Sequence, residues 1–427
     1  MSDFPIYDGH TPDLEDTMRK RIMALLGASA IVALTFAGTP AKAVAAARYF
    51  DTYVSQADLT DYPGYSGKSS CKHPDYTDLQ DAFNEADDGD EIYLCRGTYY
   101  GNFGINDDIA IIGAGRNMTF IDGDDNGDPA ISASDDNLSI EALTIQNGTV
   151  DGGSGGGIAG VEWYDCFNST LRDNEAEFNG GAAAVSYVNH NVGCRYENNH
   201  AWDGDGGAIY VDYGINEDLN TVYVNNGAGG DGGAVNVNGT DDWDAWFTGS
   251  TFTNNETCTD GCAGGGWRHN GGAIHMSNYS DGDLFINRSK FTGNYTDDFG
   301  GAVFGGDYVE IVGSSFTNNY SDSDGGAVYA MGDLFLATVK FSGNGAWCDG
   351  GAIYSRENVD MANSTFSRNY SDDCSTPGGW ISGDLQLWGR NTLDIGWKLV
   401  SWDDYPILWS DRDSQWIYVG CPGNDCP

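Results

Sequence analysis

Two short motifs alternate along this chain, and their spacing is the strongest constraint on its fold. A Gly-Gly pair recurs, usually 24 to 29 residues apart, and between pairs an aromatic residue or leucine lies three residues before an asparagine. A repeat of this length indicates a solenoid, in which each unit stacks on the next. The Gly-Gly pairs begin at Gly156, Gly180, Gly206, Gly232, Gly271, Gly300, Gly325, Gly350 and Gly378. The second motif consists of Leu171, Tyr196, Tyr223, Phe252, Phe291, Phe316, Phe341 and Phe366 with Asn174, Asn199, Asn226, Asn255, Asn294, Asn319, Asn344 and Asn369.

Each repeat contains short alternating apolar runs, such as 327–330 and 334–339, that are interrupted by Gly, Asn and Asp. This pattern is typical of strands and turns and has no helical period. A unit of about 25 residues with about three short strands is the rung of a parallel β-helix, whose neighbours stack about 4.8 Å apart. The sequence therefore predicts an all-β parallel β-helix of about a dozen rungs.

Aligning the repeats predicts which side chains point inward. The position after Gly-Gly-Ala is always apolar, as an interior position requires: Ile209, Val235, Ile274, Val303, Val328 and Ile353. The next position includes polar residues, so we expect it to face outward: Tyr210, Asn236, His275, Phe304, Tyr329 and Tyr354. The phenylalanines of the second motif should stack inside the solenoid, and its asparagines should form an internal amide ladder.

The chain is strongly acidic, with a formal net charge of −44 and only 7 lysines among 427 residues. A nucleic acid duplex or an anionic membrane would repel such a chain, which argues against both as partners. Acidic, lysine-poor sequences suit high salt, where ions screen the repulsion between carboxylates.

The first 43 residues have the pattern of a signal peptide. Basic residues 19–21 precede an apolar run over 24–38, and small residues at 41–43 predict cleavage before Val44. Residues 1–17 are acidic, so Met18 is an alternative start. No later segment resembles a transmembrane helix. The expected localisation is secreted, extracellular or cell-surface.

The Gly-Gly-Ala-Ile/Val and Phe-x-x-Asn motifs over 156–380 resemble the repeats of chlamydial polymorphic outer membrane proteins and of secreted right-handed parallel β-helix proteins. Upstream, TDLQDAFNEADDGDEIYLCRGTYYGNF (77–103), IIGAG (111–115) and LTIQNG (143–148) resemble the N-terminal cap and first rungs of pectin-lyase-like β-helices. These resemblances imply an exported, single-stranded right-handed solenoid with a role in adhesion. We expect a cap and first rungs over 44–110, the β-helix over 111–380 and a Trp-rich C-terminal cap over 381–427.

All ten cysteines lie in the exported part, which favours disulfides. With the rungs in register, two predicted bonds join successive rungs, one clamps the N-terminal cap and two close small loops. An alternative for two of these cysteines is a metal site formed by Cys258, Cys262 and His269. The predicted pairs are Cys71–Cys95, Cys166–Cys194, Cys258–Cys262, Cys348–Cys374 and Cys421–Cys426.

An inserted loop over 256–270 is the first candidate for a binding site, because insertions in solenoids project from one edge. It carries Trp267, Arg268 and His269, which could stack on sugars and bind carboxylates, or the loop could simply pack on itself. Tyr329 and Tyr354 of the outward column could also stack on sugars, or could only stabilise the sheet by stacking on each other. If the protein is an enzyme, Arg268, His269 and Asp260 are the catalytic candidates.

Calcium is the one cofactor that the sequence suggests. Asp205 and Asp231, like Asp324 and Asp349, occupy the same turn position in adjacent rungs, where either salt screens their repulsion or a cation bridges them. The segment DGDDNGD at 122–128, with Asp122, Asp124 and Asn126, also resembles the start of a calcium loop. The favoured function is non-enzymatic adhesion or contact with an extracellular or cell-surface polysaccharide or protein. The alternative is a polysaccharide lyase or glycoside hydrolase.

Overall fold

A computed structural model describes residues 71–72, 74–239, 243–257, 269–277 and 282–371, together with the backbone of Thr52–Val54 and of four strands between 385 and 418. The predicted signal peptide and its Met18 alternative lie outside these residues, as do most of the inserted loop and parts of the C-terminal segment. Within the described residues, no helix has the length and apolar character needed to cross a membrane.

The fold is all-β and consists of parallel strands coiled into a β-helix of about ten turns, slightly fewer than the dozen expected. Each turn contributes strands to three sheets, which we name sheets I, II and III. Sheet I contains Thr52–Val54, Asp90–Leu94, Phe103–Gly104, Ile109–Gly113, Ile131–Glu141, Ile158–Phe167, Ala183–Val192, Ile209–Val211, Ile215–Leu219, Val235–Val237, Ala245–Thr248, Ile274–Met276, Leu284–Asn287, Val303–Gly305, Tyr308–Val312, Val328–Ala330, Asp333–Ala337, Ile353–Ser355, Val359–Ala362 and Leu385–Trp388. Sheet II contains Gly97–Tyr100, Thr119–Asp122, Thr144–Gln146, Thr170–Arg172, Arg195–Glu197, Val222–Val224, Thr251–Thr253, Lys290–Thr292, Ser315–Thr317, Lys340–Ser342 and Thr365–Ser367. Sheet III contains Thr149–Val150, Glu175–Ala176, His200–Ala201, Gly227–Ala228, Glu256–Thr257, Tyr295–Thr296, Tyr320–Ser321, Gly345–Ala346 and Tyr370–Ser371.

The strands pair in the register that the repeats predict. Ile209 pairs with Val235, and Val303 with Val328, so the apolar column after Gly-Gly-Ala lines the interior. The aromatic residues of the second motif form a buried ladder behind sheet II. From Tyr223 to Phe366, neighbouring rings lie 4.6 to 5.0 Å apart between centroids and within 15° of parallel. This ladder fills the core with one ring per rung.

The asparagine ladder is confirmed. Asn294 illustrates it: its Nδ2 donates to Oδ1 of Asn319 at 2.9 Å and to the carbonyl oxygen of Phe252 at 3.2 Å. Its own Oδ1 accepts the backbone N–H and Nδ2 of Asn255, each at 3.0 Å. Every polar atom of the buried amide is therefore paired, which makes its burial affordable. The same contacts run from Asn174 to Asn369.

The two glycines of each pair are required for different reasons. At Gly325 the backbone has φ +69°, a conformation that side chains other than Asn and Asp rarely adopt. At Gly326 a Cβ atom would lie 2.3 Å from the carbonyl oxygen of Gly345 and 2.4 Å from that of Gly351. The first glycine thus makes the turn, and the second allows adjacent rungs to stack.

A short helix, Leu79–Asn84, lies where the sequence predicts the N-terminal cap. Asp78 caps it by accepting the backbone N–H of Gln80 at 2.8 Å, and the buried ring of Phe83 packs edge-on against Phe103. At the other end, Leu385–Trp388 pairs with Val359–Ala362 and so extends sheet I beyond residue 380. It is followed by an antiparallel sheet of Trp397–Trp402, Tyr405–Ser410 and Gln415–Tyr418.

Two predicted disulfides are confirmed, Cys71–Cys95 and Cys166–Cys194, with Cα atoms 5.6 and 6.3 Å apart. Cys348 is also disulfide-bonded. Cys374, to which the register assigns it, lies outside the described residues, as do Cys258, Cys262, Cys421 and Cys426. Cys166 lies in Ile158–Phe167 and Cys194 follows Ala183–Val192, and these two strands pair in parallel, so this bond joins two successive turns of the solenoid.

Candidate functional site

The column that the sequence places on the outside is less accessible than expected. Tyr329 is in register with Phe304 and Tyr354, and the three rings stack with centroids 5.3 and 4.8 Å apart. Only 5% of Tyr329 is exposed, because Phe299 from the preceding turn lies 4.6 Å from its ring. The column points away from the core, yet its rings cover one another. Sugar binding by Tyr329 and Tyr354 stays a prediction.

Of the predicted loop site, the structure describes His269 alone, since Asp260, Trp267 and Arg268 lie outside its described ranges. His269 is 9% exposed, and its Nδ1 lies 3.0 Å from a carboxylate oxygen of Asp297 in the next rung. This hydrogen bond raises the pKa of His269. The imidazole is thus held against the turn, and its catalytic or ligand-binding role stays a prediction.

A second histidine lies close by. The Nδ2 of Asn236 is 3.2 Å from Nδ1 of His275, and Nε2 of His275 is 3.6 Å from Oδ2 of Asp231. At the base of the inserted loop, two histidines therefore lie beside acidic residues of the turns, Asp297 and Asp231.

The acidic turn residues are held by backbone amides of the following rung, a possibility that sequence reasoning missed. Oδ1 of Asp205 accepts the N–H of Asp231 at 2.7 Å, and Oδ1 of Asp324 accepts the N–H of Asp349 at 2.8 Å. Burial and the neighbouring Asp231 carboxylate raise the pKa of Asp205, and burial next to Asp324 raises the pKa of Asp349 to about 7. The carboxylates thus act as turn acceptors, and a bridging calcium ion stays a prediction.

The segment at 122–128 is likewise held by internal hydrogen bonds. The buried carboxylate of Asp122 accepts from Nε2 of Gln146 at 2.6 Å and from Nδ2 of Asn147 at 3.1 Å. The backbone N–H of Asp124 also donates to it at 3.2 Å, and Nδ2 of Asn126 donates to Oδ1 of Asn102. Among the residues that the structure describes, no group of three or more His, Cys, Asp or Glu side chains is arranged to hold a metal ion.

An aromatic cluster lies on the outer face of sheet I. Trp163 stacks on Tyr187 at 4.3 Å, and Tyr187 stacks on Tyr213 at 4.4 Å, one ring from each of three successive rungs. Trp243, from the following rung, stands edge-on to Tyr187 at 5.1 Å and to Trp163 at 6.1 Å. All four side chains are partly exposed.

Trp246 lies three residues after Trp243 in the same rung, in the strand Ala245–Thr248, and is exposed. Its ring stacks on Phe285 of the next rung with centroids 3.9 Å apart, and 39% of Trp246 remains exposed. Since Phe285 covers one face of the indole, the exposed part is held rigidly in place. We name Trp163, Tyr187, Tyr213, Trp243 and Trp246 the aromatic surface.

The comparison with known families supports the nature of the repeat. The strand Ser315–Thr317, its turn and the following Gly-Gly-Ala segment contain both motifs in full. Residues 313–331 match the Chlamydia polymorphic membrane protein (Chlamydia_PMP) repeat. The solenoid is therefore a parallel β-helix with PMP-like repeats. No curated protein matches the sequence.

Two solved structures are distantly similar to the PMP-like solenoid. One is Geobacillus virus E2 ORF18, with 14% identity and a TM-score of 0.42, covering 78% of this chain and 62% of the viral chain. The other is the family 28 exopolygalacturonase of Yersinia enterocolitica, with 11% identity and a TM-score of 0.35, covering 81% of this chain and 79% of the enzyme. The chain thus spans less than two thirds of the viral protein's length.

A signal for the aromatic surface was present in the sequence. Trp163 and Tyr187 are 24 residues apart and Tyr187 and Tyr213 are 26 apart, so they follow the period of the PMP-like repeat. Trp163 and Tyr187 lie within strands of sheet I and Tyr213 lies between two of its strands, outside the two motifs that define the repeat. Aligning the rungs on those motifs alone therefore passes over this cluster.

Proposed function

We propose that this protein is an exported, cell-surface or extracellular rod that contacts polysaccharide without cleaving it. Trp246 is the observation that carries the proposal: one face of its ring stacks on Phe285, 39% of the residue is exposed, and it lies three residues after Trp243 in the same rung. Sugar rings stack on aromatic faces, and several weak contacts along one rod add up to useful affinity. The match to a repeat named for a membrane protein supports a location at the cell surface.

The charge around the aromatic surface indicates which glycans it accepts. Glu162 and Glu217 are exposed beside it, and Asp212 is partly exposed. A uronate or sulfate would be repelled here, in a chain whose formal net charge is −44. The aromatic surface therefore suits neutral polysaccharides such as cellulose or chitin.

Co-sedimentation with insoluble cellulose and chitin tests the proposal. Trp246→Ala and Trp243→Ala should each reduce the bound fraction several-fold while the melting temperature changes little. Trp347→Ala is the matched control, because Trp347 is 51% exposed but does not belong to the aromatic surface. Equal binding by all three variants and the unsubstituted protein would contradict the assignment. Tyr329→Ser with Tyr354→Ser tests the sequence-based alternative in the same assay.

The enzymatic alternative is tested separately. The unsubstituted protein, incubated with polysaccharides with and without Ca²⁺, should release neither reducing nor unsaturated ends. Product release that disappears in Arg268→Ala or His269→Ala would overturn the non-enzymatic proposal in favour of a lyase or hydrolase.

A further inference from the structure

Basic residues are concentrated around one sheet of this acidic protein. Eight of the ten Lys and Arg residues whose side chains the structure describes lie in a strand of sheet II or within three residues of one. Lys72 and Arg356 are the other two. The eight are Arg96, Arg116, Arg172, Arg195, Arg288, Lys290, Lys340 and Arg368.

The charge is most uniform over the last five strands of sheet II and their flanking turns. These comprise residues 248–255, 287–294, 312–319, 337–344 and 362–369, which are 40 residues with four basic and no acidic side chains. The whole chain has 64 acidic residues in 427, so about six acidic residues would be expected among these 40. The corresponding segments of earlier rungs do contain acids, such as Asp173 and Glu197.

The outward side chains of these five strands form two columns, which we name the threonine face. One column is made entirely of hydroxyl residues, and neighbouring members pair in register. It consists of Thr253, Thr292, Thr317, Ser342 and Ser367. The other column alternates hydroxyls with lysines: Thr251, Lys290, Ser315, Lys340 and Thr365.

The lysines of this face are available to a partner. Lys290, Lys340 and Arg288 are exposed, and no salt bridge joins any of them to an acidic residue in the described part of the chain. By contrast, the guanidinium of Arg195, in an earlier rung, is 2.8 Å from the carboxylate of Glu197. The stacked rings of the interior ladder keep the strands beneath the threonine face evenly spaced.

We propose that the threonine face binds an anionic polysaccharide, extended along the solenoid axis. Lys290 and Lys340 are two rungs apart, about 10 Å at the usual strand spacing, which is close to the length of two sugar rings. Sulfates or carboxylates at that interval would meet the lysines, and sugar hydroxyls would meet the threonine and serine hydroxyls between them.

This inference goes beyond the function proposed for the aromatic surface, which lies on sheet I and suits neutral glycans. Flatness and hydroxyl density favour a polysaccharide over a duplex or a membrane, both of which would bring more of their charge near the acidic remainder of the chain. The two proposals fail independently, because they depend on different residues and different probes.

Binding of dextran sulfate, with unsubstituted dextran as the neutral probe of the same backbone, tests the inference. The full chain should bind dextran sulfate and not dextran. Lys290→Gln with Lys340→Gln should weaken binding about tenfold, as expected for the loss of two exposed ion pairs. Lys72→Gln with Arg356→Gln changes the net charge equally and should leave binding unchanged.

A second variant and two further probes complete the test. Thr317→Glu places a carboxylate at the centre of the threonine face and should abolish binding while the melting temperature stays within a few degrees. Alginate in place of dextran sulfate distinguishes carboxylate from sulfate ligands, and binding to either supports the inference. Equal loss in both double variants, or tighter binding to duplex DNA or anionic vesicles than to both polysaccharides, would overturn it.

Discussion

The hydroxyl of Tyr223 donates a hydrogen bond of 2.7 Å to Oδ2 of Asp218, and both side chains are buried inside the solenoid. Nδ2 of Asn191 donates to the same oxygen at 2.7 Å, and the hydroxyl of Ser250 donates to Oδ1. Asp218 occupies an interior position that Phe247 fills in the next rung. One rung thus contains an ionisable group where its neighbour has a ring.

This buried carboxyl should make stability depend on pH. Burial raises the pKa of Asp218 to about 7, whereas in the unfolded chain it is about 4. Between these values the unfolded state releases a proton that the folded state keeps, so stability should fall as pH rises, by up to about 1.4 kcal/mol per pH unit. Urea denaturation between pH 4 and 8 should show that the free energy of unfolding of Asp218→Asn depends less on pH than that of the unsubstituted protein. Asp173→Asn, at an exposed position, is the control and should keep the pH dependence of the unsubstituted protein.

The amide ladder should be sensitive at any single rung. Asn294→Ala removes two donors and leaves the Nδ2 of Asn255 with one partner fewer, so we expect a loss of about 2–4 kcal/mol in the free energy of unfolding. Thr292→Ala, in the same rung with an exposed side chain, is the control and should change stability little. Chemical denaturation measures both. A loss below about 0.5 kcal/mol for Asn294→Ala would mean that water replaces the ladder contacts.

The second glycine of each pair should tolerate no side chain. Gly326→Ala places a Cβ within 2.4 Å of two carbonyl oxygens, which should destabilise the fold by about 3 kcal/mol or more. Gly313→Asn is a useful comparison: φ there is +62°, which Asn adopts readily, and the nearest atom is 3.5 Å away. That variant should melt near the unsubstituted protein. If both variants melt alike, steric exclusion is not the reason for the second glycine.

One acidic turn residue should be replaceable with a gain in stability. Oδ1 of Asp349 is buried without a hydrogen-bond partner, and the pKa is raised to about 7 by burial next to Asp324. Asn270 occupies the same turn position in its rung, so an amide fits there. Asp349→Asn should raise the melting temperature by a few degrees at pH 8, where the carboxylate is charged, and by less at pH 5. Added NaCl should narrow the difference at pH 8, because it screens the repulsion from Asp324.

The ladders could be predicted from the sequence because each appears once per rung at a fixed distance from its neighbour. Phe316 and Asn319, for example, differ from Phe341 and Asn344 only by one period, so alignment alone reveals their columns. The same alignment places Thr317 and Lys340 outside, but it does not indicate which outward columns remain exposed.

Other features depend on contacts that no repeat encodes. Tyr329 is covered by Phe299, and the position of Phe299 is Asp or Asn in other rungs. The burial of Tyr329 therefore depends on one residue that departs from the repeat. His269 meets Asp297 across a turn lengthened by the insertion. Asp218 is an exception within an apolar column, and only the surrounding hydroxyls and amide explain why it is tolerated there.

The hydrogen bonds of the asparagine ladder all run in one direction, and this affects how the solenoid can gain or lose a repeat. Each amide donates toward the rung that follows and accepts from the rung before, as Asn199 does with Asn226 and Asn174. Every interior rung therefore presents the same amide donor to the rung that follows and the same acceptor to the rung before. Duplicating or deleting one period of the gene would leave every donor and acceptor matched and would move the two ends of the rod apart or together by one strand spacing. Length is thus an adjustable property of this architecture, set in discrete steps without redesign of any interface.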